Sequence, residues 1–203
     1  THSLSADGRY LAFQTNAAGI VPGNSGGTIL VYVRDRNTGS NQLVSIAAGG
    51  AAANSQSDIA AISPNGRFVS FRSFASNLGG SGFLSRVYVH DRTTGSTTPV
   101  PLPVVGGNTA GGCRESDVSN AGTVVLTCFF SVLQDQVFLH LPGQAGTPFL
   151  ISSDIADVPG NQASGGVVAI DASGLSMTFE SRATNLVGGD TNTSSDIFIF
   201  ADD

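Results

Sequence analysis

Short apolar segments alternate with glycine-bearing polar turns along the whole chain. Tyr10 to Phe13, Phe68 to Phe71, Val124 to Phe130 and Leu175 to Phe179 each follow such a turn. They are brief and rich in aromatic and β-branched residues, which predicts strands rather than helices. The turns are Ala6-Asp7-Gly8, Pro64-Asn65-Gly66, Ala121-Gly122 and Ala172-Ser173-Gly174. Asp-Gly and Asn-Gly tolerate positive φ and are strong hairpin signals. A third strand is expected at Ile29 to Val33, Arg86 to Val89, Gln136 to Leu139 and Ile197 to Phe200. A fourth is expected at Gln42 to Ser45, Thr98 to Leu102 and Pro148 to Ser152.

The pattern is a repeat. Ser5-Ala6-Asp7-Gly8-Arg9-Tyr10 returns as Ser63-Pro64-Asn65-Gly66-Arg67-Phe68, 58 residues on from Ser5 to Ser63. Val31-Tyr32-Val33-Arg34-Asp35-Arg36 returns as Val87-Tyr88-Val89-His90-Asp91-Arg92, 56 residues on from Asp35 to Asp91. Two blocks sharing nearly one offset mark a repeat architecture. The units run over about 1–57, 58–116, 117–165 and 166–203. Each holds four short strands, the signature of a propeller blade, and each must bury its faces against its neighbours. The fold class is therefore all-β, a β-propeller of four-stranded blades in one domain. The fourth unit lacks its fourth strand, which leaves an open edge.

The core is expected from the second and third strands: Leu11, Phe13, Val31, Val33, Val69, Phe71, Val87, Val89, Phe138, Ile197 and Ile199.

Certain residues then resemble a known family. Ser5-Ala6-Asp7-Gly8-Arg9-Tyr10-Leu11-Ala12-Phe13, Asn185-Leu186-Val187-Gly188-Gly189-Asp190-Thr191-Asn192, Asp196-Ile197-Phe198-Ile199 and Asp35-Arg36-Asn37-Thr38-Gly39 resemble the TolB-type, WD40-like β-propeller repeats of bacterial exported proteins. Unit three departs, with Leu141-Pro142-Gly143 in place of the Asp-Arg-x-Thr-Gly turn. The resemblance implies an exported propeller that binds proteins or glycans. It implies no reaction. Such propellers often have six or seven blades, so four could be part of a larger ring.

Composition narrows the partners. The net charge is −6, and all nine basic residues are arginine. That argues against nucleic acid, which needs a basic face. No apolar run reaches the ~18 residues of a membrane helix.

Candidate chemistry is sparse. Asp190, Asn192 and Asp196 share one loop whose alternating oxygens could cradle Ca²⁺. The loop lacks the glycine and distal glutamate of an EF-hand, and an Asx-rich turn bonding its own backbone is the preferred reading. No other cofactor is expected. Asp35 and Asp91 are expected to accept backbone N–H bonds in their turns, and Arg36 and Arg92 to pair with acidic neighbours across blades. His2, His90 and His140 are spread over separate positions, with nothing that gathers them at a metal. The only glutamates, Glu115 and Glu180, make no identifiable catalytic pair.

Cys113 and Cys128 have their midpoint between Asn120 and Ala121, in the hairpin turn of unit three. An even loop centred there places them face to face, close to disulfide reach. An odd loop turns them to opposite faces. The disulfide is favoured over two buried thiols, and it fits an extracytoplasmic compartment. Three functions follow: a non-catalytic protein- or glycan-binding scaffold; a structural subunit that self-assembles by strand donation at its open blade edge; and a propeller-fold glycosidase or lyase.

Overall fold

Each blade begins at a turn that its own side chains fix. Ser5 Oγ donates to Asp7 Oδ1 (2.6 Å) and accepts from Tyr10 N (2.9 Å), while Asp7 Oδ1 accepts from Arg9 N (3.0 Å). The second blade repeats this with Ser63, Asn65, Arg67 and Phe68, at 2.7, 2.9 and 3.0 Å. Gly8 and Gly66 take φ of 67° and 74°, the left-handed region that glycine enters without steric cost.

The computed structural model describes residues 2–80, 84–144, 146–192 and 194–201. Blade one contains β1 (His2–Leu4), β2 (Tyr10–Thr15), β3 (Leu30–Asp35) and β4 (Asn41–Leu43). Blade two contains β5 (Ser57–Ile62), β6 (Phe68–Ser73), β7 (Arg86–Asp91) and β8 (Ser96–Pro99). A small hairpin, β9 (Val104–Val105) and β10 (Asn108–Thr109), precedes blade three; the sequence reading gave no sign of it. Blade three contains β11 (Gly112–Val118), β12 (Val124–Phe129), β13 (Gln136–His140) and β14 (Phe149–Leu150). Blade four contains β15 (Ser164–Ile170), β16 (Ser176–Ser181) and β17 (Asp196–Ala201). Every blade is an antiparallel meander in chain order, and β17 pairs only with β16 among the described residues. The unit boundaries 57/58, 116/117 and 165/166 fall inside β5, β11 and β15. Each of these blades starts one to five residues ahead of the expected boundary, at Ser57, Gly112 and Ser164.

Consecutive blades pack face to face. The register puts Val69, Phe71, Tyr88 and His90 on one face of blade two, called its front, and Ser70, Arg72, Val87 and Val89 on its rear. Val31 and Val33 from the rear of blade one join Val69, Phe71 and Tyr88 in one buried cluster. Val87 meets Val124, Leu126 and Phe138 in a second, and Val137 and Leu139 meet Met177 and Phe179 in a third. Burying such side chains contributes about 1.5–3 kcal/mol each.

Most of the expected core is buried. Leu11, Phe13 and Val89 are half-buried. Ile197 and Ile199 are a correction: they are 69% and 74% exposed. They occupy the rear-face positions of Val31 and Val33, but no described blade lies behind them.

Backbone bonds also cross each interface. Ser57 N donates to Ile29 O (2.9 Å), Cys113 N to Ser85 O (2.9 Å) and Ser164 N to Asp135 O (2.8 Å). These three donors align, and so do their partners across the first two strands. Ser57 faces Ser73, Cys113 faces Cys128 and Ser164 faces Ser181. In blades two and four the two hydroxyls are bonded at 2.8 Å. In blade three the two sulfurs form a disulfide, with Cα atoms 4.0 Å apart. The loop between β11 and β12 is odd in length, Ser119 to Thr123, and alone would have misplaced the cysteines. A bulge between Cys113 and Ser116 shifts the register by one residue and restores them.

Two predictions follow from this packing. Without reductant, intact mass after alkylation should show no added label, and reduction should lower stability by ~3 kcal/mol for a loop of this size. Two labelled thiols without reductant contradict the disulfide. C113S/C128S should fold to the same register, since serine pairs hold that position in the neighbouring blades.

The second concerns His90, wholly buried with Nδ1 on Thr97 Oγ1 at 3.0 Å. Burial pushes its imidazole down to about 4, below the ~6.5 of an unfolded chain. The unfolded state takes up the proton first as pH falls, so His90's contribution is complete above about pH 6.5 and is lost towards about pH 4, amounting to at most ~3 kcal/mol. Denaturant midpoints measured from about pH 7 to about pH 4.5 should fall. His90→Phe should shrink that fall, because Phe200 holds the same position in blade four.

Candidate functional site

The first strands of the four blades lie side by side around the axis, and three of them carry bulges. The bulges fall between Asp58 and Ala61, between Cys113 and Ser116, and between Ser164 and Val168. Ile59 is forced to φ 47°, a costly conformation for a β-branched residue. Its N–H is held by Gln14 Oε1 of blade one at 2.7 Å. In blade three Thr127 fills the position of Gln14, and its Oγ1 donates to Gly165 O in the bulge of blade four at 2.8 Å.

Glu180 is the blade-four member of that series. It lines a cleft of about 310 Å³ between blades three and four with Arg114, Glu115, Asp135, Arg182 and Ser195. The fold thus gathers both glutamates of the chain into one place, which the sequence did not indicate. Ser195 Oγ donates to Glu180 Oε1. Arg114 lies over the Phe129 ring at 4.9 Å and reaches Asp135 at 3.5 Å. The cleft offers mixed charge and several hydrogen-bonding groups.

Asp117 faces a second cleft, on the axis side, with Ser3, Ile59 and Val168. Burial pushes its carboxyl above the usual range, opposed by bonds from Ile170 N and Val118 N. Those bonds measure 3.1 and 2.9 Å. The pattern has a structural origin. Ser3 Oγ accepts from Ile62 N one blade on, at 3.3 Å. The matching residue of blade two is Ala61, which has no acceptor for Val118 N. Asp117 therefore serves both its neighbour in sequence and the next blade.

The other candidates disperse. In the loop of Asp190, Asn192 and Asp196, Asn192 N donates to Asp190 Oδ1 (3.3 Å) and Asn192 Nδ2 to Asp196 Oδ2 (3.2 Å). Ser194 N donates back to Asn192 Oδ1 (2.6 Å), the geometry of an Asx-rich turn. His90 and His140 stand on different blades. Among the described residues no group of three or more His, Cys, Asp or Glu could hold a metal ion.

Asp35 and Asp91 do accept backbone bonds, from Asn37 N and Thr93 N, each at 2.9 Å. Each also forms an ion pair. Arg9 and Arg67, from the turns of their own blades, pair with them at 2.7 and 2.8 Å. These arginines hold both carboxyls down at about 2. Arg36 donates instead to Gly8 O, and Arg92 to Gly66 O, each at 2.6 Å. The ladder places Arg9 and Arg67 beside the aspartates, so the cross-blade ion pairs expected for Arg36 and Arg92 do not form.

No family model and no curated protein matches the chain. Solved structures do. The β-propeller domain of the Trilobed protease from Pyrococcus furiosus, described as an open velcro topology, matches with a TM-score of 0.58 at 10% identity, over 99% of this chain and 53% of that one. A protein described as TolB from Agrobacterium tumefaciens matches at 0.57 and 15%, over 98% and 60%. TolB from Acinetobacter baumannii matches at 0.51 and 16%, over 91% and 40%. The chain spans about half the length of these structures. The likeness shows the fold, a β-propeller.

Asp117→Ala should leave the Val118 and Ile170 amides without their acceptor, at a cost of ~2 kcal/mol. Urea unfolding measures this. Asp117→Asn, which keeps one acceptor oxygen, should lose less.

Proposed function

We propose that the chain is a non-catalytic propeller scaffold that works outside the cytoplasm and binds protein by docking a propeller-type β layer on the rear face of blade four. The exposure of Ile197 and Ile199 carries this reading. Their counterparts Val31, Val33, Val137 and Leu139 are at most 6% exposed, each covered by the next blade. Two exposed isoleucines side by side on one strand face favour a protein over a glycan. The disulfide supports an oxidising compartment. Glu180 supports the non-catalytic part: its position belongs to the series that ties one blade to the next, and its carboxylate already accepts from Ser195.

One observation favours a second copy of the chain as the docking layer. Leu4, on the front of blade one, is 52% exposed, whereas Ile62, Val118 and Ile170 at the matching positions are at most 8%. Leu4 on one copy and Ile197 and Ile199 on another would have the same relation as residues of two consecutive blades, although Tyr32 on the face of Leu4 is already buried. Such a contact is heterologous and joins copies head to tail.

Light scattering over a concentration series tests the docking. The wild-type chain should form oligomers, and Leu4→Glu and Ile199→Glu should each be monomeric alone. Mixed, the two variants should form dimers and nothing larger, because only one intact pair of faces remains. A wild-type chain that stays monomeric at the highest concentration overturns self-docking. If Ile199→Glu also fails to reduce binding of an apolar dye, the rear face is not open and the wider reading falls.

A further inference from the structure

Arg92 makes the joint between blades one and two. It leaves the turn after β7 and donates through one guanidinium nitrogen to Gly66 O of its own blade, at 2.6 Å. It then crosses to blade one. Its Nε donates to Gln42 Oε1 at 2.9 Å, and its guanidinium carbon lies 4.1 Å from the centre of the Tyr10 ring. Stacking on an aromatic face and donating to fixed oxygens suits this flat cation.

The joint between blades two and three keeps the socket and lacks the arginine. Phe68 stands opposite Asp91 as Tyr10 stands opposite Asp35. Thr98 stands opposite Val89 as Gln42 stands opposite Val33. Gly122 closes its turn on Ser119 as Gly66 closes on Ser63, and each glycine lies against the ring: an added Cβ would reach Tyr10 in one case and Phe68 in the other. His140 stands opposite Val124 as His90 stands opposite Val69. Two residues past His90 is Arg92; two residues past His140 is Pro142. Proline has no long side chain to send across. In place of the arginine there is a cleft of about 340 Å³, lined by Arg67, Phe68, Asp91, Thr98, His140 and Pro142; Arg67 lies over the Phe68 ring at 4.7 Å, as Arg9 lies over Tyr10 at 4.7 Å beside Arg92 in the filled joint.

We propose that this cleft is a guanidinium-binding site, taking an arginine side chain from outside the chain, free or carried by a peptide. The cation stacks on Phe68 and donates to Thr98 Oγ1 and to the Gly122 carbonyl, as Arg92 does one blade earlier. The electrostatics match those of the filled joint. Asp91 is paired with Arg67 at 2.8 Å, just as Asp35 beside Arg92's socket is paired with Arg9. His140 does not repel a cation, because burial holds its imidazole below the usual range and so neutral near pH 7. Its Nδ1 is buried and has no hydrogen-bond partner among the described residues. The site lies between inner blades, so it stands or falls separately from docking at the end faces.

Two-dimensional NMR of the whole chain tests the proposal, with arginine amide and a Gly-Gly-Arg-Gly-Gly peptide as probes and the lysine equivalents as controls. The amides of Phe68, Thr98 and Gly122 should shift and saturate with the arginine probes, and the lysine probes should bind about tenfold more weakly or worse. Equal affinity of the two arginine probes identifies the side chain alone as the ligand; tighter binding of the peptide identifies a protein-borne arginine. Pro142→Arg supplies the guanidinium internally and should abolish the shifts. Should that variant not fold, Thr98→Val should weaken arginine binding severalfold. No shift at these amides in the millimolar range, or equal shifts with lysine, overturns the proposal.

Discussion

Each blade of this protein can bury its sheet only against another blade, and the rest of the structure depends on that packing. A four-stranded meander has two apolar faces and no core of its own. Its front must meet the rear of the blade before it. Val31 and Val33 are buried because Val69 and Phe71 lie against them, and Val137 and Leu139 because Met177 and Phe179 do. Where the series ends among the described residues, the same kind of side chain is exposed. Ile197 and Ile199 are no less apolar than their counterparts; no described blade covers them.

Packing of this kind fixes distance but not register, and polar contacts supply the register. The amides of Ser57, Cys113 and Ser164 each reach the residue just before the third strand of the previous blade. Paired asparagines lock the linkers. Asn54 N donates to Asn77 Oδ1 and Asn161 N to Asn185 Oδ1, at 3.0 and 2.8 Å. Asn77 and Asn185 each return a side-chain bond to the linker backbone, at Ala52 O and Pro159 O. These bonds are directional, so one slipped residue would leave the buried amides of Ser57, Cys113 and Ser164 without partners.

The repeat, the strand order and the all-β class were legible in the sequence because turn chemistry is local. Ser5, Asp7 and Gly8 fix their turn with bonds that span only a few residues, so their pattern survives in the one-dimensional record. What depends on three dimensions was not legible. The cysteine midpoint assumed an even loop; the loop is odd, and an unseen bulge corrected the register. Nothing in their spacing joined Glu115 to Glu180, which come from different blades and meet only across a joint. Arg36 and Arg92 were expected to find acidic partners across blades; they bond turn carbonyls instead, and the arginines that meet Asp35 and Asp91 are Arg9 and Arg67, adjacent across the ladder and not in sequence. The expected burial of Ile197 and Ile199 failed for a related reason: apolarity in a strand records what a residue is suited to pack against, and the packing partner lies elsewhere.

Departures from the repeat are therefore of two kinds. Some are compensated at the same position. A disulfide replaces a pair of bonded serines across one register, and Asp117 takes on two amides because Ala61 can serve none. Others are not compensated within the described residues. Pro142 replaces an arginine while the aromatic ring, the β8 side-chain oxygen and the turn glycine that would receive it all remain. A joint that had merely decayed would be expected to close, since a cleft forfeits the dispersion contacts of its walls. An added Cβ at Gly122 would still meet the Phe68 ring, and Thr98 still offers a hydroxyl at the register position of Gln42. The second kind of departure is what supports the proposed guanidinium site in this joint.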